Sequence, residues 1–132
     1  MLYLDTSAAL KLVVTEPETA RLELWMAERA GIPRVSSRLL RIEMWRAVTR
    51  AAPHRISRAN VVLSAIALLS MDDVAPTAEV IGDTTLRSPD AIHLATAHES
   101  PRLTQRARRR QPRGAPNWVF CAHRSWAVAL PG

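Results

Sequence analysis

Three acidic residues, Asp5, Glu43 and Asp90, each lie inside or at the edge of an apolar stretch of the sequence. A buried carboxylate without a partner is costly, so a chain normally excludes it from such positions. Carboxylates from distant segments that share Mg²⁺ or Mn²⁺ form a binding site instead, because hard divalent cations prefer oxygen ligands. The residue types therefore predict a divalent-cation site assembled from segments far apart in sequence.

Each acid also has an ordinary structural interpretation. Glu43 would pair with Arg46 or Arg50 on the surface of a helix. Asp90 lies in the first turn of a predicted helix, where the helix dipole favours a negative charge. Asp5 would cap the first helix. The spacing of the three acids does not by itself prove that they converge, and position alone leaves both interpretations open.

Histidine adds little to this site. His93 lies one turn after Asp90, and we interpret it as a partly buried, hydrogen-bonded structural residue, since hard-cation carboxylate sites rarely recruit imidazole. The other three histidines show no ligand spacing with the single cysteine, so a zinc site is not expected. With four glycines in the whole chain, a dinucleotide-binding fingerprint is excluded.

The segments that carry the acids predict alternating strands and helices. Residues 1–4 indicate a buried strand, which places Asp5 at its carboxyl end, where open α/β sheets bind ligands. Helices are predicted over 8–14 and about 17–30, and a second strand over 34–37. Ser37 then caps a helix over about 38–51, which carries Glu43.

The second half of this region continues the alternation. A helix is predicted over 58–69, a weak strand over 72–76 and a short helix over 77–81. Ser88 and Pro89 start a helix that runs to about residue 98 and carries Asp90 in its first turn. The alternation predicts an α/β fold with a short, mostly parallel sheet flanked by helices.

Length and composition indicate one globular domain. The chain has 132 residues, of which 48% are hydrophobic and 23% charged. Cys121 has no partner for a disulfide within the chain, so we expect a reducing, cytoplasmic environment. The first residues lack the basic and apolar regions of a signal peptide, and no apolar run is long enough to span a membrane.

The net charge of +6 is distributed unevenly. Residues 1–100 carry 11 Lys and Arg against 12 Asp and Glu, whereas residues 101–132 carry seven arginines and no acid. We therefore divide the chain into a core at 1–100 and a basic tail at 101–132, where 101–117 read as a solvated or disordered segment. Short strands are predicted at 118–120 and 126–130.

Three segments together resemble the PIN-domain ribonucleases, most of all the VapC toxins of bacterial and archaeal toxin/antitoxin pairs. The first is Leu-Asp-Thr-Ser-Ala at 4–8, and the second is Ile-Glu at 42–43 with Arg-Ala at 46–47. The third is Ser-Pro-Asp-Ala-Ile-His-Leu-Ala-Thr-Ala at 88–97. The resemblance covers about residues 1–99.

The resemblance implies an α/β/α sandwich and a Mg²⁺- or Mn²⁺-dependent endoribonuclease that cleaves transfer or ribosomal RNA. By motif, Asp5, Glu43 and Asp90 take the catalytic and metal-ligand roles, and Thr6 or Ser7 donates a hydrogen bond that orients Asp5. The expected partners are RNA, a VapB-type antitoxin and a second copy of the chain in a homodimer, with no membrane.

The tail departs from the family, in which a strand ending in Thr-x-Asp supplies a fourth acid. Residues 101–132 contain no acid, and Glu99 points to the opposite helix face from Asp90. One hypothesis is a reading-frame shift near Ser100 that replaced the last strand, helix and strand. Two alternatives follow: a weakened or inactive PIN fold that binds its antitoxin, and a nucleic-acid binder that acts through the arginine-rich tail.

Overall fold

The computed structural model describes residues 1–110, apart from the side chains of residues 107, 108 and 110. Strands and helices alternate along this region, as the sequence predicts. In chain order the elements are β1 (Leu2–Tyr3), α1 (Thr6–Leu10), α2 (Thr19–Ala27), β2 (Arg34–Ser37), α3 (Arg38–Ala51), a 3-10 turn (Pro53–Arg55), α4 (Ile56–Ser64), β3 (Ala67–Leu69), α5 (Ala75–Glu79) and α6 (Ser88–Arg110).

The three strands form one parallel sheet with β2 in the centre. Tyr3 of β1 pairs with Val35 of β2, which in turn pairs with Ala67 of β3. Since parallel strands all end at the same edge, the residues that follow β1 and β2 meet there. The predicted α/β class is confirmed, and the short sheet with flanking helices fits the α/β/α arrangement.

The core is aliphatic and is built around α3. Leu40, Met44 and Val48 recur at every fourth position of this helix and are almost fully buried. Spacing by four places them on one helix face, which packs with Leu4 and Ile66 in a single cluster of buried residues. Glu43 immediately precedes Met44, so the packing of this face fixes where its carboxylate lies.

Two predictions around β3 are wrong. Helix α4 ends at Ser64, and residues 67–69 form the third strand where the sequence predicts the end of a helix. The strand predicted over 72–76 is absent, because these residues form a turn and the start of α5. The apolar run over 61–69 satisfies helical spacing and a buried strand equally well, so periodicity alone cannot place the boundary.

Helix α6 is longer than the sequence predicts. It continues from the expected end near residue 98 to Arg110 and contains Pro101. Arg102 pairs with Glu99 one turn earlier at 3.6 Å, and arginine is a good helix former. The division at residue 100 thus falls within a continuous helix. The strands predicted at 118–120 and 126–130 lie outside the described residues.

No helix within residues 1–110 has both the length and the apolar character that a membrane crossing requires.

Candidate active site

The side chain of Glu43 lies at the junction of three helices. Ser37 caps α3 by accepting a hydrogen bond from the amide of Leu39 at 3.1 Å, and the buried face of the helix then holds Glu43 at the edge of the core. Its side chain is 29% exposed. Among the described residues neither Arg46 nor Arg50 pairs with it, so the surface-pair interpretation of Glu43 is wrong.

Tyr3, Thr6, Glu43 and His93 form a hydrogen-bonded group, here called the Glu43 cluster. Oγ1 of Thr6 donates to Oε2 of Glu43, and Nε2 of His93 lies 2.9 Å from the same oxygen. The Tyr3 hydroxyl lies 2.6 Å from Nδ1 of His93. The cluster therefore joins β1, α1, α3 and α6 at the carboxyl edge of the sheet.

His93 is a partly buried member of this cluster. Its side chain is 13% exposed, and its ring meets the Tyr3 ring edge to face with 6.1 Å between centroids. The prediction of a partly buried, hydrogen-bonded histidine is confirmed. The sequence did not predict that its hydrogen-bond partner is Glu43, one of the proposed metal ligands. The three-residue spacing from Asp90 did place His93 on the same helix face as that acid.

Tyr3 remains protonated in this environment. Burial raises the pKa of its phenol above the usual value, and the negative charge of Asp5 adds to the rise, while the nearby polar groups of Ser36, Ser37 and Thr96 oppose it. A phenol that ordinarily ionises near pH 10 is then neutral at physiological pH. Tyr3 therefore offers His93 a hydroxyl group and not an anion.

Asp5 directly follows β1 and caps α1. Its Oδ1 accepts from the amide of Ala8 at 2.8 Å, and Oγ of Ser7 lies 2.9 and 3.1 Å from its two carboxylate oxygens. The capping interpretation is confirmed, as is Ser7 as a donor to Asp5, whereas Thr6 donates to Glu43 instead. Capping does not exclude ligation, because a carboxylate offers about four acceptor positions.

Asp90 lies in the first turn of α6, as predicted. Its side chain is 49% exposed and lies 3.5 Å from Nε of Arg87. An ion pair this exposed contributes little to stability. Asp90 is one helical turn before His93, so the two project from neighbouring positions on α6, and His93 in turn contacts Glu43.

Within residues 1–110, no three His, Cys, Asp or Glu side chains are grouped closely enough to hold a metal ion. The convergence of Asp5, Glu43 and Asp90 on one ion therefore stays a prediction. The donor chemistry nevertheless fits Mg²⁺, which binds through one or two carboxylates and keeps several waters. Thr6 connects two of the predicted ligands, because it follows Asp5 in sequence and donates a hydrogen bond to Glu43.

Glu99 does not join the cluster. Its carboxylate lies 3.5 Å from Thr77 Oγ1 of α5, 3.2 Å from His98 and 3.6 Å from Arg102. Glu99 itself lies on the face of α6 away from Asp90, as helical geometry predicts. Glu99 is accordingly no substitute for the family's fourth acid.

A separate, mainly apolar cavity of about 330 Å³ lies between α2 and α4, with the ion pair of Glu23 and Arg58 also in its lining. Met26 and Ala27 line it from one helix and Val61 and Val62 from the other. Val61 is itself exposed, as is Trp25 beside the cavity-lining residues of α2. This region therefore presents an apolar surface that is distinct from the Glu43 cluster.

Comparison with known proteins identifies the family. The PIN domain profile matches residues 2–101. Ribonuclease VapC47 of Mycobacterium tuberculosis (strain CDC 1551 / Oshkosh) is 42% identical over 106 residues, which cover 77% of this chain and 78% of the relative. Ribonuclease VapC35 of the same strain is 37% identical, covering 74% and 73%. Ribonuclease VapC46 of strain ATCC 25618 / H37Rv is 40% identical, covering 73% of both chains.

The chain belongs to the PIN-domain family. Within that family its place is among the VapC proteins, as the motifs at 4–8, 42–47 and 88–97 indicate. No solved structure gives a significant match. The matched region ends at residue 101 and so contains the whole Glu43 cluster together with Asp5 and Asp90.

Proposed function

We propose that this protein is a divalent-metal-dependent endoribonuclease, the toxin of a VapB/VapC toxin/antitoxin pair, acting in the cytoplasm. The observation that carries the proposal is the Glu43 cluster, in which the contacts of Thr6 and His93 with one carboxylate tie the segment of Asp5 to the segment of Asp90. The ribonuclease names of the relatives support the same activity.

In this proposal Asp5, Glu43 and Asp90 hold Mg²⁺ or Mn²⁺. When bound, such an ion supplies Lewis-acid polarisation of a phosphodiester and activates water for attack. The chain contributes orientation, because Ser7 holds Asp5 and Thr6 holds Glu43 through hydrogen bonds. The side chains of Glu43 and Asp90 are 29% and 49% exposed, so a cation and a phosphate from solvent can reach them.

The lack of a fourth acid weakens the proposed site without removing it. Mg²⁺ requires few protein carboxylates because water and substrate phosphates fill its remaining positions. We therefore expect low metal affinity in the absence of RNA and stronger metal binding when RNA phosphates are present.

Cleavage of RNA by the full chain tests this function directly. Transfer RNA and ribosomal RNA are incubated with Mg²⁺ or Mn²⁺, with EDTA as the metal-free arm. Asp5→Asn should abolish the metal-dependent cleavage, because it removes a charged ligand while keeping a helix-capping side chain. Asp83→Asn is the matched control, since the carboxylate of Asp83 accepts hydrogen bonds only from Thr85 among the described residues.

Two results would overturn the enzymatic proposal. One is a parent protein that cleaves neither RNA at any metal concentration. The other is an Asp5→Asn variant that cleaves as fast as the parent, which would trace the activity to another site or to a contaminating nuclease.

Binding of RNA through the arginine-rich end of α6 is a second candidate function. Three exposed arginines, spaced four and then three residues apart, form a stripe on one side of the helix: Arg102, Arg106 and Arg109. Replacing all three with glutamine should weaken RNA binding. It should also reduce the slope of log affinity against log salt concentration by the equivalent of up to about three phosphate contacts. Salt-dependent binding without cleavage would favour this candidate over the nuclease.

The third candidate function is that of an inactive PIN fold that only binds its antitoxin. The apolar surface at the cavity between α2 and α4 suits a VapB-type antitoxin. A complex that forms with the antitoxin, in a protein that cleaves no RNA, would favour that candidate. The homodimer also stays a prediction, which the molar mass in solution would test.

A further inference from the structure

Both hydrogen bonds to the Glu43 carboxylate end on the same oxygen. Thr6 Oγ1 and His93 Nε2 each contact Oε2, and no hydrogen bond to Oε1 is found among the side chains and backbone groups that the structure describes. A carboxylate held in this way has one oxygen engaged by the protein and one left open. The open oxygen is the one available to a cation in the proposed site.

The proton on His93 follows from the acceptor chemistry of its partner. An ionised carboxylate only accepts hydrogen bonds, so Nε2 must carry a hydrogen to bond with Glu43. Nδ1 is then the atom that meets the Tyr3 hydroxyl at 2.6 Å. A ring flip would replace both nitrogens with carbon atoms and lose both bonds, so Tyr3 sets the orientation in which His93 donates.

Both residues of this pair lie in regular secondary structure. Tyr3 belongs to β1 and lies in register with Val35 of the central strand. His93 lies in α6 beside Ala95 and Thr96, which are fully buried. The hydrogen-bonded chain Tyr3, His93, Glu43 therefore runs from the sheet through α6 to α3, and it holds Oε2 of the carboxylate.

We propose that Tyr3 and His93 are positioning residues for Glu43: Tyr3 orients the His93 ring, and His93 holds Oε2 so that Oε1 faces the divalent cation. This inference rests on the proposed nuclease function. Neither residue needs to contact metal or RNA. The effect of each is to hold a ligand in place, which is how partners behind metal ligands typically add 10–100-fold to metal affinity.

Mn²⁺ affinity of the full chain tests the proposal, measured from the electron paramagnetic resonance signal of the free ion. We expect His93→Leu to bind Mn²⁺ about 10–100-fold more weakly than the parent. His93→Gln keeps an N–H donor at a similar distance from the backbone and should recover part of the loss. His98→Leu is the matched control, because His98 lies on the same helix and contacts Glu99, not Glu43.

A double-mutant cycle tests whether Tyr3 acts through His93. Tyr3→Phe removes only the hydroxyl and should weaken Mn²⁺ binding several-fold in the parent but not in the His93→Leu background. Equal losses in both backgrounds would overturn the role of Tyr3. Thermal unfolding of every variant is recorded alongside, since a simple packing role lowers the melting temperature without changing Mn²⁺ affinity.

The outcomes separate this inference from the proposed function. If Glu43→Gln loses Mn²⁺ binding while His93→Leu and Tyr3→Phe bind as the parent does, the positioning role is wrong and the metal site stands. If the parent binds no Mn²⁺, with or without RNA, both proposals fail. Should His93→Leu not fold, the milder His93→Gln and Tyr3→Phe still decide, and parent-like affinity in both would overturn the inference.

Discussion

Oε2 of Glu43 lies 2.9 Å from Nε2 of His93, a contact that joins α3 to α6 across 50 residues of sequence. It brings the first turn of α6, and with it Asp90, to the end of the sheet where Asp5 follows β1. Thr6 completes the connection from the other side by donating to the same oxygen. Of the three acids, Glu43 belongs to this network, while Asp5 adjoins Thr6 in sequence and Asp90 lies one helical turn before His93.

Divalent cations should stabilise the folded protein. A ligand that binds only the native state adds about 2.7 kcal/mol to the free energy of unfolding at 100 times its dissociation constant. We therefore expect saturating Mn²⁺ to raise the melting temperature by several degrees, and EDTA to reverse the rise. The same rise in Glu43→Gln would contradict a role for Glu43 in holding the ion.

The two roles assigned to Asp5 are separable by substitution. Asn caps helices about as well as Asp, whereas loss of a capping side chain to Ala costs about 1 kcal/mol. Asp5→Asn should therefore unfold in denaturant like the parent, and Asp5→Ala should be less stable by about that amount, both measured in EDTA. Both variants should lose metal-dependent cleavage. Parent-like cleavage by Asp5→Asn would leave capping as the only role of Asp5.

Leu40 and Leu24 give a matched pair for the core. Leu40 is fully buried on α3, while Leu24 on α2 is 64% exposed. Leu40→Ala should lower the free energy of unfolding by about 2–5 kcal/mol because it leaves a cavity, and Leu24→Ala should change it by no more than about 0.5 kcal/mol. Urea denaturation measures both. Equal losses of unfolding free energy in the two variants would contradict the burial of Leu40 in the core.

Tyr3 is the only tyrosine in the chain, so the ultraviolet absorption of tyrosinate reports its ionisation directly. Burial raises its pKa, and we expect a midpoint above the usual value of about 10 in the folded protein. The folded state binds the phenol proton more tightly than the unfolded chain does, so the protonated phenol contributes to the free energy of unfolding. This contribution is complete below the unfolded-state pKa of about 10 and is lost as the pH rises through the folded-state pKa. A midpoint at or below the value in denaturant would contradict the burial of Tyr3.

Much of the fold is readable from the sequence because the relevant signals are local. The bounds of β2 and α3 follow from a turn, the capping serine at 37 and apolar residues spaced by four. Strand β3 is not readable in this way, because its three residues continue an apolar run that also fits a helix. The continuation of α6 past Pro101 is equally hidden, since proline ordinarily ends a helix.

The candidate site is predictable in its acids but not in their partners. Asp5, Glu43 and Asp90 are recognisable from residue type and motif. Thr6 donates a hydrogen bond to Glu43, whereas Ser7 donates to Asp5. Which acid each residue contacts depends on how α1 packs against α3. The Tyr3 contact with His93 depends on how α6 packs against the sheet. Such contacts between distant segments follow from tertiary packing and leave no periodic signal in the sequence.

The most direct test of the account is the position of a bound cation. A crystal of the full chain grown with Mn²⁺ should show an anomalous difference peak in contact with Oε1 of Glu43 and with a carboxylate oxygen of Asp5. Asp90 should face the same peak. A peak bound elsewhere, or Asp5, Glu43 and Asp90 directed into separate surroundings at saturating Mn²⁺, would contradict the assignment of a metal-dependent nuclease site.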